Sequence, residues 1–352
     1  MTQSYTIGEE QIALLERLSN AIAVSGDEAE VRSIVLEQVR PLADEVKVDA
    51  MGNVLVTKKS TAPDARKVML DAHMDEIGFM IVNKEENGLY SFESVGGIDV
   101  RQLPGKPVLV NRKRFPGVIG ARPIHLTTRE DRERAIPLDS LRIDLGPGGD
   151  QAKPGDRATF ATLFKQVGPS LMGKALDNRL GVATLIELLK QAPAHIELQL
   201  AFTVQEEIGL RGAQVAAYAF NPDIAIAVDS TPANDLPTWD DSENTRYNTR
   251  LGAGPAIYVA DAGTLSDPRL LRWLFQTAAA EGIPYQVRQP GGGGTDAGAI
   301  HRQRGGIPSV SISVPGRYAH TAVLLARTED WQNTVRLLLS ALNNLDRGVL
   351  DR

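Results

Sequence analysis

The sequence predicts an α/β protein: a mostly parallel sheet with helices on both faces, interrupted by a small all-β insert. Three observations predict it. Strand-like apolar runs alternate with helical periodicity in both ends of the chain, the rhythm of a parallel sheet covered on both faces. Between about residues 74 and 163 that rhythm stops, and short apolar runs are split by Gly and Pro. Finally, the 352 residues are 42% hydrophobic and 23% charged, an ordinary globular composition with length for about two domains at ~150 residues each. We therefore expect 1–73 and 164–352 to form one α/β domain that carries 74–163 as an insert.

The elements follow in order. Ile12, Leu14, Leu15, Leu18 and Ile22 recur at helical spacing. A second helix places Val31, Ile34, Val35 and Val39 on one face and is closed by Pro41. Strands around 46–48 and 54–57 flank a turn at Met51-Gly52-Asn53. KVMLDAH (67–73) is an apolar run ending on polar residues, as in a buried strand. In the insert, FMIV, LYSF, PVLV, RIDL and RATF read as short strands, and RERAIPLDS reads as a polar loop. After Gly168 a helix spans 180–189, with Val182, Leu185, Ile186 and Leu189 inward. Strands are expected at 196–204, 223–230 and 256–261. Ser266-Asp267-Pro268-Arg269 starts a helix with a hydroxyl cap and Pro in its first turn, and Gly282 stops it. PYQVRQ, a glycine run at 291–294, the strand PSVSISV and a last helix from Thr328 complete the chain.

Composition also excludes function classes. Lys plus Arg is 38 against 44 Asp plus Glu, a net charge of −6, which argues against a broad nucleic-acid surface. The absence of Cys excludes disulfides, thiolate metal sites and cysteine nucleophiles. No apolar run approaches the ~18 residues of a membrane span, so no membrane partner is expected. The N-terminus has no basic region followed by an apolar core, and a cytoplasmic location is expected. With five His and no Cys, any metal site must rely mainly on carboxylates.

Open α/β sheets place their chemistry outside the carboxyl ends of the strands. His73 and Asp75 follow the strand at 67–73, Glu206 and Glu207 follow 196–204, and Asp229 ends 223–230. His320 follows SISVPGRYA, and Asp177 precedes the helix at 180. Singly, each has an ordinary reading: a buried core His, a helix-capping Asp, an exposed Glu pair. Jointly, two His and several carboxylates at one sheet edge suit two divalent cations sharing one carboxylate. Asp75, on the same side of an extended segment as His73, fits the carboxylate that receives a ligating imidazole's other N–H. Of two adjacent Glu, one can ligate while the other serves as a base. Mixed His/carboxylate donors suit Zn²⁺, with Co²⁺ or Mn²⁺ also fitting. His125, His195 and His301 lack a carboxylate context and read as structural or exposed.

LDAHMDEIGFMI, GKALDNRLG, VQEEIGLRGA, AVDS, GGGGTDAGAIH and GRYAHT resemble, in order and spacing, the dinuclear metallo-aminopeptidases that form tetrahedral particles, in their glutamyl/leucyl branch. The resemblance implies that His73 and Asp229 hold one metal, Glu207 and His320 the other, and Asp177 bridges them. It implies that Glu206 is the general base, that Asp75 orients His73, and that the 177–178 peptide is cis. It further implies N-terminal trimming of peptide substrates by a water held between two metal ions. The insert becomes a dimerisation and assembly module of a homo-oligomer, dimer-based and up to a dodecamer. Asn178 stands where the family often has Asp, and TAVLLARTED lacks a Pro-containing version seen in many members. Two alternatives stand beside this one: a carboxypeptidase or amide deacylase on the same sheet, and a metal-free scaffold. An acidic N-terminal residue would need a cationic pocket, for which Arg246, Arg250 and Arg317 are candidates. Backbone N–H groups of the 291–294 glycines are candidates to line it.

Overall fold

The computed structural model describes residues 5–236, 249–289 and 293–351. The chain enters through α1 (Glu9–Asn20), whose buried Leu14, Leu15 and Leu18 form the helical stripe the spacing predicts, and α2 (Ala29–Val39), which buries Val31, Val35 and Val39. β1 (Glu45–Val48) and β2 (Val54–Lys58) pair as a hairpin. Its turn closes because the Asp49 carboxylate accepts the amides of Met51, Gly52 and Asn53 at 2.9, 2.9 and 3.0 Å. β3 (Lys67–His73) then runs buried through the middle of the sheet.

The insert contains β4 (Gly78–Lys84), β5 (Leu89–Val95), β6 (Pro107–Val110), β7 (Phe115–Gly120), the short helix α3 (Arg129–Glu133), β8 (Arg142–Asp144) and β9 (Arg157–Phe160). Its strands close into an antiparallel barrel in the order β4-β5-β8-β7-β6-β9. The barrel has its own core, in which Phe79 meets Phe92 and Phe160 edge-on, each at 5.2 Å. Part of the stretch expected to be a loop is helical. α3 forms because Thr128 and Asp131 cap each other's backbone N–H groups.

The chain returns through β10 (Lys165–Val167), β11 (Ser170–Gly173), α4 (Leu176–Lys190), β12 (Glu197–Thr203), α5 (Arg211–Phe220) and β13 (Ile224–Pro232). It ends with β14 (Ala256–Tyr258), α6 (Pro268–Ala280), β15 (Gln286–Arg288), α7 (Ala297–Ile300), β16 (Ser309–Arg317), β17 (Leu324–Arg327) and α8 (Thr328–Asn343). The sheet order is β1-β2-β12-β3-β13-β16-β17-β11-β10, with β14 on β16 and β15 beyond it. The centre, β12-β3-β13-β16, is parallel as the alternation predicts. The margins are largely antiparallel, because β1–β2 and β10–β11 are joined by short turns that allow nothing else. α6 is capped by the Asp267 carboxylate on the Arg269 amide, not by the expected Ser266 hydroxyl. Pro268 is the first helical residue, which makes Asp267 the cap.

Alternation along β3 sends Val68, Leu70 and Ala72 into the large core with α1, α4, α6 and α8. Met69 points the other way, into a small-residue layer with Ala213, Ala216 and Ala217 of α5 and Ala299 of α7. The sheet is therefore covered on both faces.

Barrel and sheet domain meet at a buried charge cluster. Lys174 donates to both Glu76 oxygens at 2.9 Å and to the Ala21 carbonyl at 2.7 Å. Glu76 also accepts from the Thr159 hydroxyl of β9 at 2.8 Å and from the Ala23 amide at 2.9 Å. Fully buried Arg179 reaches Glu76 at 3.4 Å and donates to the carbonyls of Leu18, Met74 and Asp75. Among the described residues Glu76 is the one carboxylate ion-paired with either cation, so removing it breaks both pairs, and breaking such clusters costs about 3–5 kcal/mol. We predict that Glu76→Gln lowers unfolding stability by that amount in urea titration. A loss below about 1 kcal/mol would refute the importance of the cluster.

Candidate metal centre

Register brings distant residues to one edge. His73 of β3 lies level with Thr203 of β12, so the turn after β12 starts beside it. Ala227 of β13 pairs with Asp71, which sets Asp229 level with His73. Asp229 in turn pairs with Ser313 of β16, the strand that leads to His320. Asp177 enters from the other side, at the irregular start of α4, where it and Asn178 have non-helical backbone angles and a cis peptide joins them. Asn178 fixes this start by donating to the Val228 carbonyl at 2.7 Å and accepting the Gly181 amide at 3.0 Å. Gln205 and His320 adopt left-handed backbone angles, φ 58° and 57°, which turn the chain sharply at the site.

Two donor sets result: His73, Glu206 and Asp229, and Asp177, Glu207 and His320, the ligand atoms of each set within 4.8 Å of one another. Nε2 of His73 lies 3.4 Å from Asp177 Oδ1, 3.5 Å from Asp229 and 3.9 Å from Glu206. Nε2 of His320 lies 3.7 Å from Asp177 Oδ2 and 3.6 Å from Glu207. Asp177 thus turns one oxygen to each imidazole. A single ring nitrogen carries at most one proton, yet three carboxylates surround Nε2 of His73. A cation satisfies all of them at once, and two divalent ions fit this donor set.

Electrostatics support the same fit. Burial pushes the Glu206 carboxyl well above the usual range and Glu207 up to about 8. Burial also raises Asp229, with Asp177 adding to it, against the pull of His73. Burial opposes the charge of Asp177 and Asp75 as well, but their bonds to His73 hold both below the ordinary carboxylate range. Burial lowers the two imidazoles, and the surrounding carboxylates more than reverse it. The pocket therefore holds more acid than its own cations neutralise, and binding of divalent metal would displace protons from it.

Asp75 is fully buried. Its backbone carbonyl lies 3.2 Å from Nδ1 of His73 and its carboxylate 3.6 Å, so both flank the ring nitrogen facing away from the site. The same carboxylate accepts the Ser25 hydroxyl at 2.6 Å and the amides of Glu206 and Glu207 at 3.0 and 3.2 Å. It thus also fastens the turn that presents both glutamates, which the sequence reading did not anticipate. His320 is held from the insert, with Nδ1 2.9 Å from the carbonyl of Gly97.

Other residues stand apart from the centre or behind it. His125 and His195 are exposed, and His301 folds back on the Ala297 carbonyl at 2.8 Å. Arg317 is paired with Asp235 at 2.7 and 2.9 Å, Arg250 is exposed, and Arg246 lies outside the described residues. Of the glycine run, 291 and 292 also lie outside them, while the Gly293 carbonyl accepts the Ala262 amide at 3.0 Å. Behind His73, buried Asp71 lies against Asp296, which accepts the Thr203 hydroxyl at 2.8 Å. Burial raises Asp71 and lifts Asp296 to about 6. The only sequence signal for Asp71 was an acid amid an apolar run, two residues before His73.

Residues 52–337 match the family described as M42 glutamyl aminopeptidase. The chain is 33% identical to the glutamyl aminopeptidase of Lactococcus lactis over 349 residues, 94% of this chain and 96% of that one. Its fold is similar to the TET aminopeptidase of a marine sediment Thaumarchaeota archaeon, with a TM-score of 0.91, 31% identity, and coverage of 97% of this chain and 98% of that one. The Pyrococcus horikoshii TET1 peptidase, described as assembling into a tetrahedron or a large octahedral shell, aligns with a TM-score of 0.84 and 32% identity. That alignment covers 95% of this chain and all of the other.

Proposed function

This chain belongs to the M42 glutamyl aminopeptidase family, and we propose that it releases N-terminal residues from peptides at the centre described above. The observation that carries this reading is the division of the Asp177 carboxylate between His73 and His320, the arrangement of a shared ligand. In this reading His73 and Asp229 hold one ion, Glu207 and His320 hold the other, and Asp177 serves both. When bound, two divalent ions would supply Lewis acidity and a more acidic water at these residues. Glu206 is the base placed to take a proton from the attacking water and to return it to the leaving nitrogen. Asp75 keeps His73 and the glutamate turn in place. Zn²⁺ is our assignment for the ions, with Co²⁺ or Mn²⁺ as substitutes.

The test is a panel of glutamyl, aspartyl, leucyl and lysyl chromogenic amides, with free and acetylated N-termini, assayed with Zn²⁺, Co²⁺ or Mn²⁺. Metal-dependent hydrolysis of the free-amine substrates alone is expected. Loss of acetyl from the blocked amides without release of the chromophore would favour a deacylase, cleavage of a free C-terminal residue from an N-acetyl dipeptide added to the panel would favour a carboxypeptidase, and no turnover with any ion would favour a scaffold. We also propose that residues 74–163 mediate assembly into a dimer-based homo-oligomer, up to a dodecamer. Ile124 and Leu126, exposed on the insert, support this. Light scattering on the same preparation should give a mass several-fold above 38.1 kDa; a monomer would overturn it. A cytoplasmic location belongs to the same proposal, and cell fractionation tests it. Among the described residues no helix is long and apolar enough to cross a membrane.

A further inference from the structure

The two imidazoles of the centre are supported differently. The His73 side chain is 3% exposed and is fixed by Asp75, two residues further along the same segment. The His320 side chain is 47% exposed and sits on a left-handed backbone residue in a turn. An exposed ring on a turn has rotamer freedom that ligation must remove, at an entropic cost. Its tether comes from another part of the fold. The turn after β5, in the inserted barrel, brings the Gly97 carbonyl to 2.9 Å from Nδ1 of His320. That carbonyl only accepts, so the bond puts the ring proton on Nδ1 and leaves Nε2 bare, facing Asp177 and Glu207.

The same turn is seated against the other ligand of that ion. Gly96 has φ +86°, and a Cβ there would stand 2.7 Å from Ile77 and 3.4 Å from Cβ of Glu207. Only glycine permits both the backbone angle and the approach. At Gly97 the backbone angle is ordinary, but a Cβ would lie 3.2 Å from Nδ1 of His320, close enough to displace the ring.

We propose that Gly97 is a positioning residue of the metal centre, its carbonyl locking His320 so that the inserted barrel completes the Glu207–His320 half of the site. This rests on the reading of His320 as a ligand. The barrel is then part of the ligand shell, and loading of one ion depends on how it docks. The ion at His73 and Asp229 has no such dependence, since both residues lie on the central sheet.

The experiment is Zn²⁺ binding by chelator competition on the full chain, resolving two ions per subunit. Gly97→Ala should weaken one ion by about 10–100-fold, the usual effect of losing an outer hydrogen bond to a ligand, and spare the other. Gly120→Ala, also in the barrel, is the control; its Cβ would meet nothing closer than 3.7 Å, and both ions should bind as in the wild type. Wild-type affinity for both ions in Gly97→Ala, or equal weakening of both, overturns the proposal. His320→Ala separates this from failure of the underlying reading. If it too keeps both ions, His320 is no ligand; if it loses one while Gly97→Ala loses none, only the positioning role falls. Should Gly97→Ala not fold, ¹⁵N NMR of histidines in the Zn²⁺-loaded wild type decides. A protonated Nδ1 with coordinated Nε2 at His320 is expected, and coordination through Nδ1 overturns the proposal.

Discussion

Glu206→Gln is expected to lower kcat by at least about 10²-fold while both metal ions stay bound, because a general base typically contributes 10²–10⁴-fold. The substitution is nearly isosteric, and the turn that carries it is fastened through backbone. The amides of residues 206 and 207 donate to Asp75 whatever the side chain at 206. The expected change is therefore in proton transfer and not in the placement of the site. The carboxyl is nearly buried, and burial pushes it well above the ordinary carboxylate range, the direction that favours a general base. Its Oε2 lies 3.9 Å from Nε2 of His73, however, close enough to be a ligand instead. The two roles separate cleanly when turnover and metal content are measured on one sample. A base loses rate and keeps metal; a ligand loses metal along with rate. Near-normal turnover would sink the assignment altogether.

The legible part of this protein was the part written locally. Three of the four strands of the parallel centre, β12, β3 and β13, are apolar runs that end on an acid or His or lead straight to one, so His73, Glu206, Glu207 and Asp229 can be picked out one strand at a time. What remained hidden depends on register between segments far apart in sequence. Asp71 is a lone acid inside an apolar strand, and the packing of α7 brings Asp296 against it. Gly97 offers a carbonyl, which every residue has, so no residue type advertises it. Lys174 and Arg179 flank Asp177 in sequence, and their shared anion, Glu76, lies about 100 residues away. The cap of α6 failed for a smaller reason: Ser266 and Asp267 are both good caps, and only the first helical residue decides between them.

Asp177→Ala should disrupt both ions together, the largest effect on binding that the geometry predicts. Divalent ions about 4 Å apart, the usual spacing of two-metal sites, repel by roughly 17 kcal/mol even at an effective dielectric constant near 20. Anions lying between them offset much of that repulsion. In the proposed reading Asp177 is that anion, since its Oδ1 faces His73 and its Oδ2 faces His320. Its loss leaves Glu207 and His320 as the remaining donors of one set, and removes from the other the nearest carboxylate to His73. Each ion should weaken by well over ~10²-fold, since losing the shared ligand costs more than the 10–100-fold of an outer hydrogen bond. Asp177→Asn sharpens the test. Its amide keeps one oxygen donor and replaces the other with an N–H group that repels a cation, so one ion should survive where Ala loses two. Folding provides the control. Burial opposes the Asp177 charge, but His73 and His320 hold it below the ordinary carboxylate range, so the metal-free Ala variant should still fold but be somewhat less stable than the metal-free parent at neutral pH. If chelator competition instead shows one ion untouched in Asp177→Ala, the carboxylate serves a single metal and the bridge does not exist.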